Sequence, residues 1–235
     1  MAPLAVFDSH LHIIDPRFPP VADQGYVPEP FTVEDYRAAT AGMEVVGGAV
    51  VAGSFQRGGT AYLLDAVERL GPAFVGVAEL DAGVSDEEIL ALDRAGVRAV
   101  RFNLHRGGAL DEGLALRVHE LAGWHAEVYA ADLAAHERRL RALPRLVVDH
   151  LGMTPEGLAA AVRLGAMVKA TPRFRGDLEA VPPDRLLFGT DLPGTRARRR
   201  FESADVDRVA AVAPRALADN ARAWYRASVP RSSPR

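Results

Sequence analysis

Apolar runs of strand length alternate with stretches of helical period along the chain, and the strand-like runs fall at residues 5–14, 45–53, 73–80, 97–104, 125–131, 145–151, 166–171 and 185–192. Strand and helix in strict alternation is the pattern of a parallel sheet, whose crossovers are helical. Several predicted helix starts carry their own markers: Thr32 with Asp35 and Ser85 with Glu88 fit a capping box, and Thr154 precedes Pro155. Gly71, Gly96 and Gly165 stand where helices should stop before the next strand. About eight βα units predict an α/β fold, a (β/α)8 TIM barrel in a single domain spanning 1–235, with 1–228 as the barrel and 229–235 as a tail. The barrel is somewhat trimmed, because residues 172–184 contain Pro182 and Pro183 and leave room for a short helix at best. Residues 15–31, rich in proline, form the longest insertion, to be read either as a lid over the catalytic end or as a plain surface loop.

Composition narrows the chemistry. The 235 residues are 49% hydrophobic and include no cysteine, which excludes disulfides, thiolate-held zinc, iron–sulfur clusters and a cysteine nucleophile, so any metal must take nitrogen and oxygen ligands. A formal charge of −3 gives no global field that would gather nucleic acid or an anionic membrane surface, and a small-molecule partner is the expectation. No apolar run approaches the roughly 20 residues a membrane span needs. Residues 1–14 hold acidic and imidazole groups in place of a basic leader, so the expected location is cytoplasmic.

His10 and His12 are two apart on a predicted strand, so both imidazoles leave the same face, roughly 7 Å apart at the backbone. That spacing lets two ring nitrogens converge on one divalent cation, with a third imidazole and a carboxylate completing a site open to water. His150 ends the sixth predicted strand in VVDHLG and Asp191 ends the eighth in LLFGTDLP, the ends at which barrels place their chemistry. A single histidine there would more often be structural; three of the chain's seven histidines share this pattern.

The ordered set FDSHLHIIDPRFP, GVRAVRFNL, VVDHLG, LLFGTDLP and DNARAWY resembles the amidohydrolase-related family, in the branch of 2-pyrone-4,6-dicarboxylate and sugar lactonases, over nearly the whole chain. The resemblance implies a hydrolase that opens a lactone, or a related ester or amide, with Asp191 as the base that activates water. It also implies that His10, His12 and His150 either hold a divalent metal with Asp191, zinc or manganese, or polarise the substrate carbonyl without one; either way the same residues act. A decarboxylase of the same superfamily and a non-catalytic binding barrel are the competing readings. Oligomeric state stays open, self-association included.

Substrate contacts are expected from the lumen side of the middle strands. Arg101, Asn103 and His105 share one face of the fourth strand, opposite Val100, Phe102 and Leu104. A buried guanidinium needs an anion, which is either Glu127, on one face with His125 and Tyr129, or a substrate carboxylate. Lys169 shares parity with Met167 and Thr171 and is expected to orient Asp191. Arg57, Arg106, Arg173, Arg175 and Arg196 all follow predicted strands, a ring that would steer a carboxylated substrate, with Arg173 the foremost contact. The run from Arg196 to Arg200 reads as a solvated loop and helix start.

Overall fold

The computed structural model describes residues 4–57 and 59–226. Eight parallel strands follow one another in a single sheet: β1 (Ala5–Leu11), β2 (Glu44–Val51), β3 (Phe74–Ala78), β4 (Val97–Asn103), β5 (His125–Tyr129), β6 (Leu146–Val148), β7 (Met167–Ala170) and β8 (Leu186–Phe188). Helices α1 (Val33–Ala39), α2 (Ala61–Leu70), α3 (Asp86–Arg94), α4 (Glu112–Ala122), α5 (Glu137–Leu140), α6 (Pro155–Arg163), α7 (Ala204–Val212) and α8 (Asp219–Arg226) lie between and after them. Sheet order equals chain order, the topology of the TIM barrel. Between β7 and β8 the crossover shrinks to a single 3-10 turn, Pro183–Arg185, where paired prolines deny a helix its backbone donors.

Closure falls just past the end of β8. The Asp191 amide donates to the His10 carbonyl at 2.7 Å, the His12 amide donates to the Leu192 carbonyl at 2.8 Å, and Leu11 bridges Leu192 in parallel. Gly189 permits this approach, since a Cβ there would lie 2.7 Å from the His10 Cβ. The seam that shuts the cylinder is therefore the segment that carries the predicted quartet's first two histidines and its aspartate.

Strand parity sorts the interior. Even-numbered residues such as Val100, Phe102, Val128 and Val148 pack outward into the layer under the helices, while Phe7, Val51, Ala99, Val147, Met167 and Leu187 fill the lower lumen with Tyr225 of α8. One step higher the lumen changes from apolar to ionic: Arg101, Glu127, Asp149 and Lys169 are all buried. The capping boxes at Thr32 and Ser85 form, as does the Thr154 cap before Pro155, and Gly71, Gly96 and Gly165 take positive φ. The basic run precedes α7 entirely, so it is loop rather than helix start. No helix among the described residues is long and apolar enough to cross a membrane. The proposed tail, 229–235, lies outside the described residues.

Candidate active site

His10 leaves β1, and His12 follows its end. His150 and Asp191 stand just beyond the regular ends of β6 and β8, in left-handed backbone with φ of 51° and 55°. Non-glycine residues rarely adopt this region, and such strain collects where side chains must be aimed. The structure brings all four together: the His10 and His150 ring centres are 4.7 Å apart, those of His10 and His12 5.1 Å, and Asp191 Oδ1 lies 3.7 Å from His10 Nε2 and 3.6 Å from His12 Nε2.

Hydrogen bonding assigns the lone pairs. His12 Nδ1 faces the Val51 carbonyl at 2.8 Å; a carbonyl can only accept, so Nδ1 carries the proton and Nε2 presents a lone pair. His10 Nδ1 faces Asp149 Oδ1 at 3.2 Å, which directs its proton there and leaves Nε2 bare. Among the described residues neither His10 Nε2 nor Asp191 Oδ1 has a hydrogen-bond partner, although both are buried. Three acceptor atoms thus converge with no donor among them, an arrangement that calls for a cation or for a water giving both protons. His10, His12 and Asp191 offer one ligand atom each within 4.8 Å of one another, so buried imidazole and carboxylate donors fit a divalent metal.

Burial keeps the His10 and His150 imidazoles neutral: it drives His10 down to about 3, against the pull of Asp149, and His150 well below its ordinary value. Burial alone would raise the Asp191 carboxyl, but the neighbouring His12 imidazole and the Arg173 guanidinium outweigh it and hold the group below the usual carboxylate range. Arg173 reaches Asp191 Oδ2 through Nε at 3.0 Å and Nη2 at 2.9 Å, leaving Oδ1 to the imidazoles. His150 Nδ1 meets the Thr171 hydroxyl at 2.7 Å.

Beneath the imidazoles lies an ionic floor that corrects two expectations. The principal partner of Arg101 is Asp149 at 2.8 Å; Glu127 is 3.9 Å away and is bound instead by Lys169 at 2.5 Å. Lys169 also approaches His10 Nδ1 at 3.5 Å and Asp149 at 3.7 Å, so it braces His10 rather than Asp191. Glu127 and Lys169 are fully buried and stay below the cavity. Asp149 and Asp8 went unassigned in the sequence reading, although parity puts Asp149 on the lumen face with Val147. Asp8 accepts from the Thr190 amide and hydroxyl, the Tyr36 hydroxyl and the His10 amide, and so ties the seam.

Above the imidazoles a cavity of about 30 Å³ is lined by His12, His150, Tyr129, Asn103, Arg106 and Arg173, among others. A larger groove, about 810 Å³, runs between α2 and α3 away from the quartet. Asn103 Oδ1 is buried without a hydrogen-bond partner among the described residues. His105 belongs to the 3-10 turn after β4 and not to the strand, and it stacks on Tyr129 at 4.6 Å. Burial and the nearby guanidinium groups of Arg106, Arg173 and Arg196 depress its imidazole. Arg175 leaves the predicted ring, for it faces Asp205 of α7 at 3.9 Å. The 15–31 segment does cover the mouth: Ile14 and Phe31 pair at its base, the Val21 amide donates to the Phe55 carbonyl, and Tyr26 joins the cavity wall.

Comparison with known proteins identifies the family and the fold. The amidohydrolase family profile matches residues 7–227. A 4-sulfomuconolactone hydrolase of Rhizobium radiobacter is 27% identical over 81% of this chain and 76% of its own. A 2-pyrone-4,6-dicarboxylate hydrolase of Comamonas testosteroni is 31% identical over 64% of this chain and 52% of its own. Among solved structures, an Agrobacterium tumefaciens protein in apo form aligns with a TM-score of 0.79 at 23% identity, covering 99% of this chain and 98% of its own. An Acinetobacter baumannii protein described as a 2-pyrone-4,6-dicarboxylic acid hydrolase, solved with citric acid bound, gives 0.69 at 16% identity over 93% and 91%.

Proposed function

The chain belongs to the amidohydrolase family, and from that premise we propose that it is a hydrolase which opens the lactone ring of a small anionic substrate, with water activated at Asp191. The observation that carries this reading is the convergence of Asp191 Oδ1 with the bare Nε2 atoms of His10 and His12 at a buried point beside His150.

Water held there gives a proton to Asp191 Oδ1 as its oxygen attacks the lactone carbonyl carbon. The carbonyl oxygen, becoming anionic, lies against the imidazole side of the cavity near His150, whose ring is fixed by Thr171 and packed edge-on by Tyr129 at 4.9 Å. Collapse breaks the acyl carbon–ring oxygen bond, and the proton on Asp191 passes to the departing oxygen, giving a hydroxy acid. His10, His12, His150 and Asp191 would hold a divalent zinc or manganese ion, which when bound lowers the pKa of water and polarises the carbonyl. The floor favours the His10 tautomer the site needs, since the Asp149 carboxylate, anchored by Arg101, lies 3.2 Å from Nδ1.

A substrate anion is received by Arg106 and Arg173, with Asn103, Tyr129 and His105 along the wall. The cavity beside the quartet is small, about 30 Å³, and its rim carries Tyr26 and Arg196. Replacing Asp191 by Asn, tested on carboxylated small lactones by acid release, should lower kcat by about 100- to 10,000-fold with the fold retained. Unchanged turnover would remove Asp191 from the mechanism, and release of carbon dioxide instead of acid would favour carbon–carbon cleavage.

A further inference from the structure

The mouth holds four arginines from four loops, those after β2, β4, β7 and β8, and their partners differ. Arg173 is bound to Asp191. Arg196 donates Nη1 to Asp23 Oδ2 at 2.9 Å and Nη2 to the Asp23 carbonyl. Arg57 approaches Asp23 Oδ1 at 3.6 Å, and the Ser54 hydroxyl donates to Oδ2 at 2.7 Å. Arg106, on the cavity wall, has no carboxylate within ion-pair distance among the described residues.

Asp23 is an unusual residue for its place. It sits in an insertion whose neighbours Val21 and Val27 are half exposed, yet Asp23 itself is 5% exposed. A two-residue turn presents it: the Asp23 and Tyr26 amides and carbonyls bond reciprocally at 2.9 and 3.0 Å, with Gln24 and Gly25 both at positive φ, as a tight hairpin requires. Tyr26 then packs its ring 4.5 Å from the Arg196 guanidinium. Hydroxyl, guanidinium and second guanidinium around two oxygens form a carboxylate receptor, and the chain's own carboxylate fills it.

We propose that Asp23 sets the charge of the substrate: by occupying the Ser54, Arg57 and Arg196 corner in place of a second anionic group, it restricts the site to lactones bearing one anionic substituent, received by Arg106. A second carboxylate brought to that corner meets Asp23, and repulsion between like charges in a partly desolvated mouth discriminates strongly.

The proposal rests on the lactonase reading for its substrate, and its test separates the two. Calorimetric titration with butyrate and glutarate reads the corner without any turnover. The wild-type protein should bind glutarate no more tightly than butyrate, and Asp23→Asn, which keeps a group for the Ser54 hydroxyl, should shift the ratio toward glutarate by about tenfold or more. Asp23→Glu should keep the wild-type preference, and Asp23→Ser supplies a second uncharged variant should Asn disturb the hairpin. Matched lactones with one and two carboxylates should show the same shift in kcat/KM. A wild-type preference for glutarate of about tenfold, or equal ratios in wild type and both uncharged variants, overturns the assignment. If the binding ratio shifts while no lactone is opened, the lactonase reading falls and the role of Asp23 stands.

Discussion

Asp8 has no exposed surface, and burial pushes its carboxyl up to about 6 even though four hydrogen bonds from Thr190, His10 and Tyr36 oppose the shift. Each donor is itself buried, so losing the carboxylate would orphan all of them. Asp8→Ala should cost about 3 kcal/mol in denaturant unfolding and loosen His10 against Asp191, whereas a loss below about 1 kcal/mol would show that the seam holds without it. At this scale the sequence disclosed residues whose chemistry and spacing coincide, His10 with His12 above all. It disclosed less where a partner lies far along the chain. Parity placed Arg101 in the lumen and demanded an anion, but two carboxylates satisfy the same parity, and only the registers of β4, β5 and β6 decide that Asp149 takes Arg101 while Glu127 takes Lys169. Asp23 gave no signal at all, because nothing in a proline-rich insertion says which residue turns inward.

The elements were legible because each is marked twice, by period and by punctuation. The Ser85 and Glu88 pair predicts the start of α3, and both halves of the capping box form; Pro182 and Pro183 predict a thin seventh crossover, and a lone 3-10 turn stands there. Strand ends were less legible. The apolar runs continue through His150 and toward Leu192, yet β6 stops at Val148 and β8 at Phe188. Hydrophobicity persists past those points because the segments remain buried, while the backbone has already turned left-handed to aim His150 and Asp191. His105 was misplaced for the same reason, its apolar neighbour Leu104 extending the strand pattern into a turn.

The whole molecule carries a polar column through its barrel, from the quartet down to His125, whose ring nitrogens have no hydrogen-bond partner among the described residues and which packs edge-on against Trp224 and Tyr225. Burial, with the charges of Arg145 and Lys169, holds this imidazole well below its ordinary value, so the folded chain keeps it neutral where the unfolded chain would protonate it. Its contribution to stability is full above about pH 6.5 and is lost as pH falls, by about 1.4 kcal/mol per pH unit. His125→Phe should flatten that slope by about one proton between pH 6.5 and 5, measured by denaturant unfolding, and an unaltered slope would place the acid sensitivity elsewhere. Buried ion pairs, Arg101 with Asp149 and Lys169 with Glu127, brace the upper half of the column beneath the imidazoles.

The central claim is that water held at Asp191 attacks a lactone carbonyl. Turnover in water enriched in heavy oxygen, followed by mass spectrometry of the product, tests it directly. The account expects one labelled oxygen per product, located in the new carboxylate and absent from the released hydroxyl; label in the hydroxyl, or a product that has lost carbon dioxide and gained no label, would contradict it.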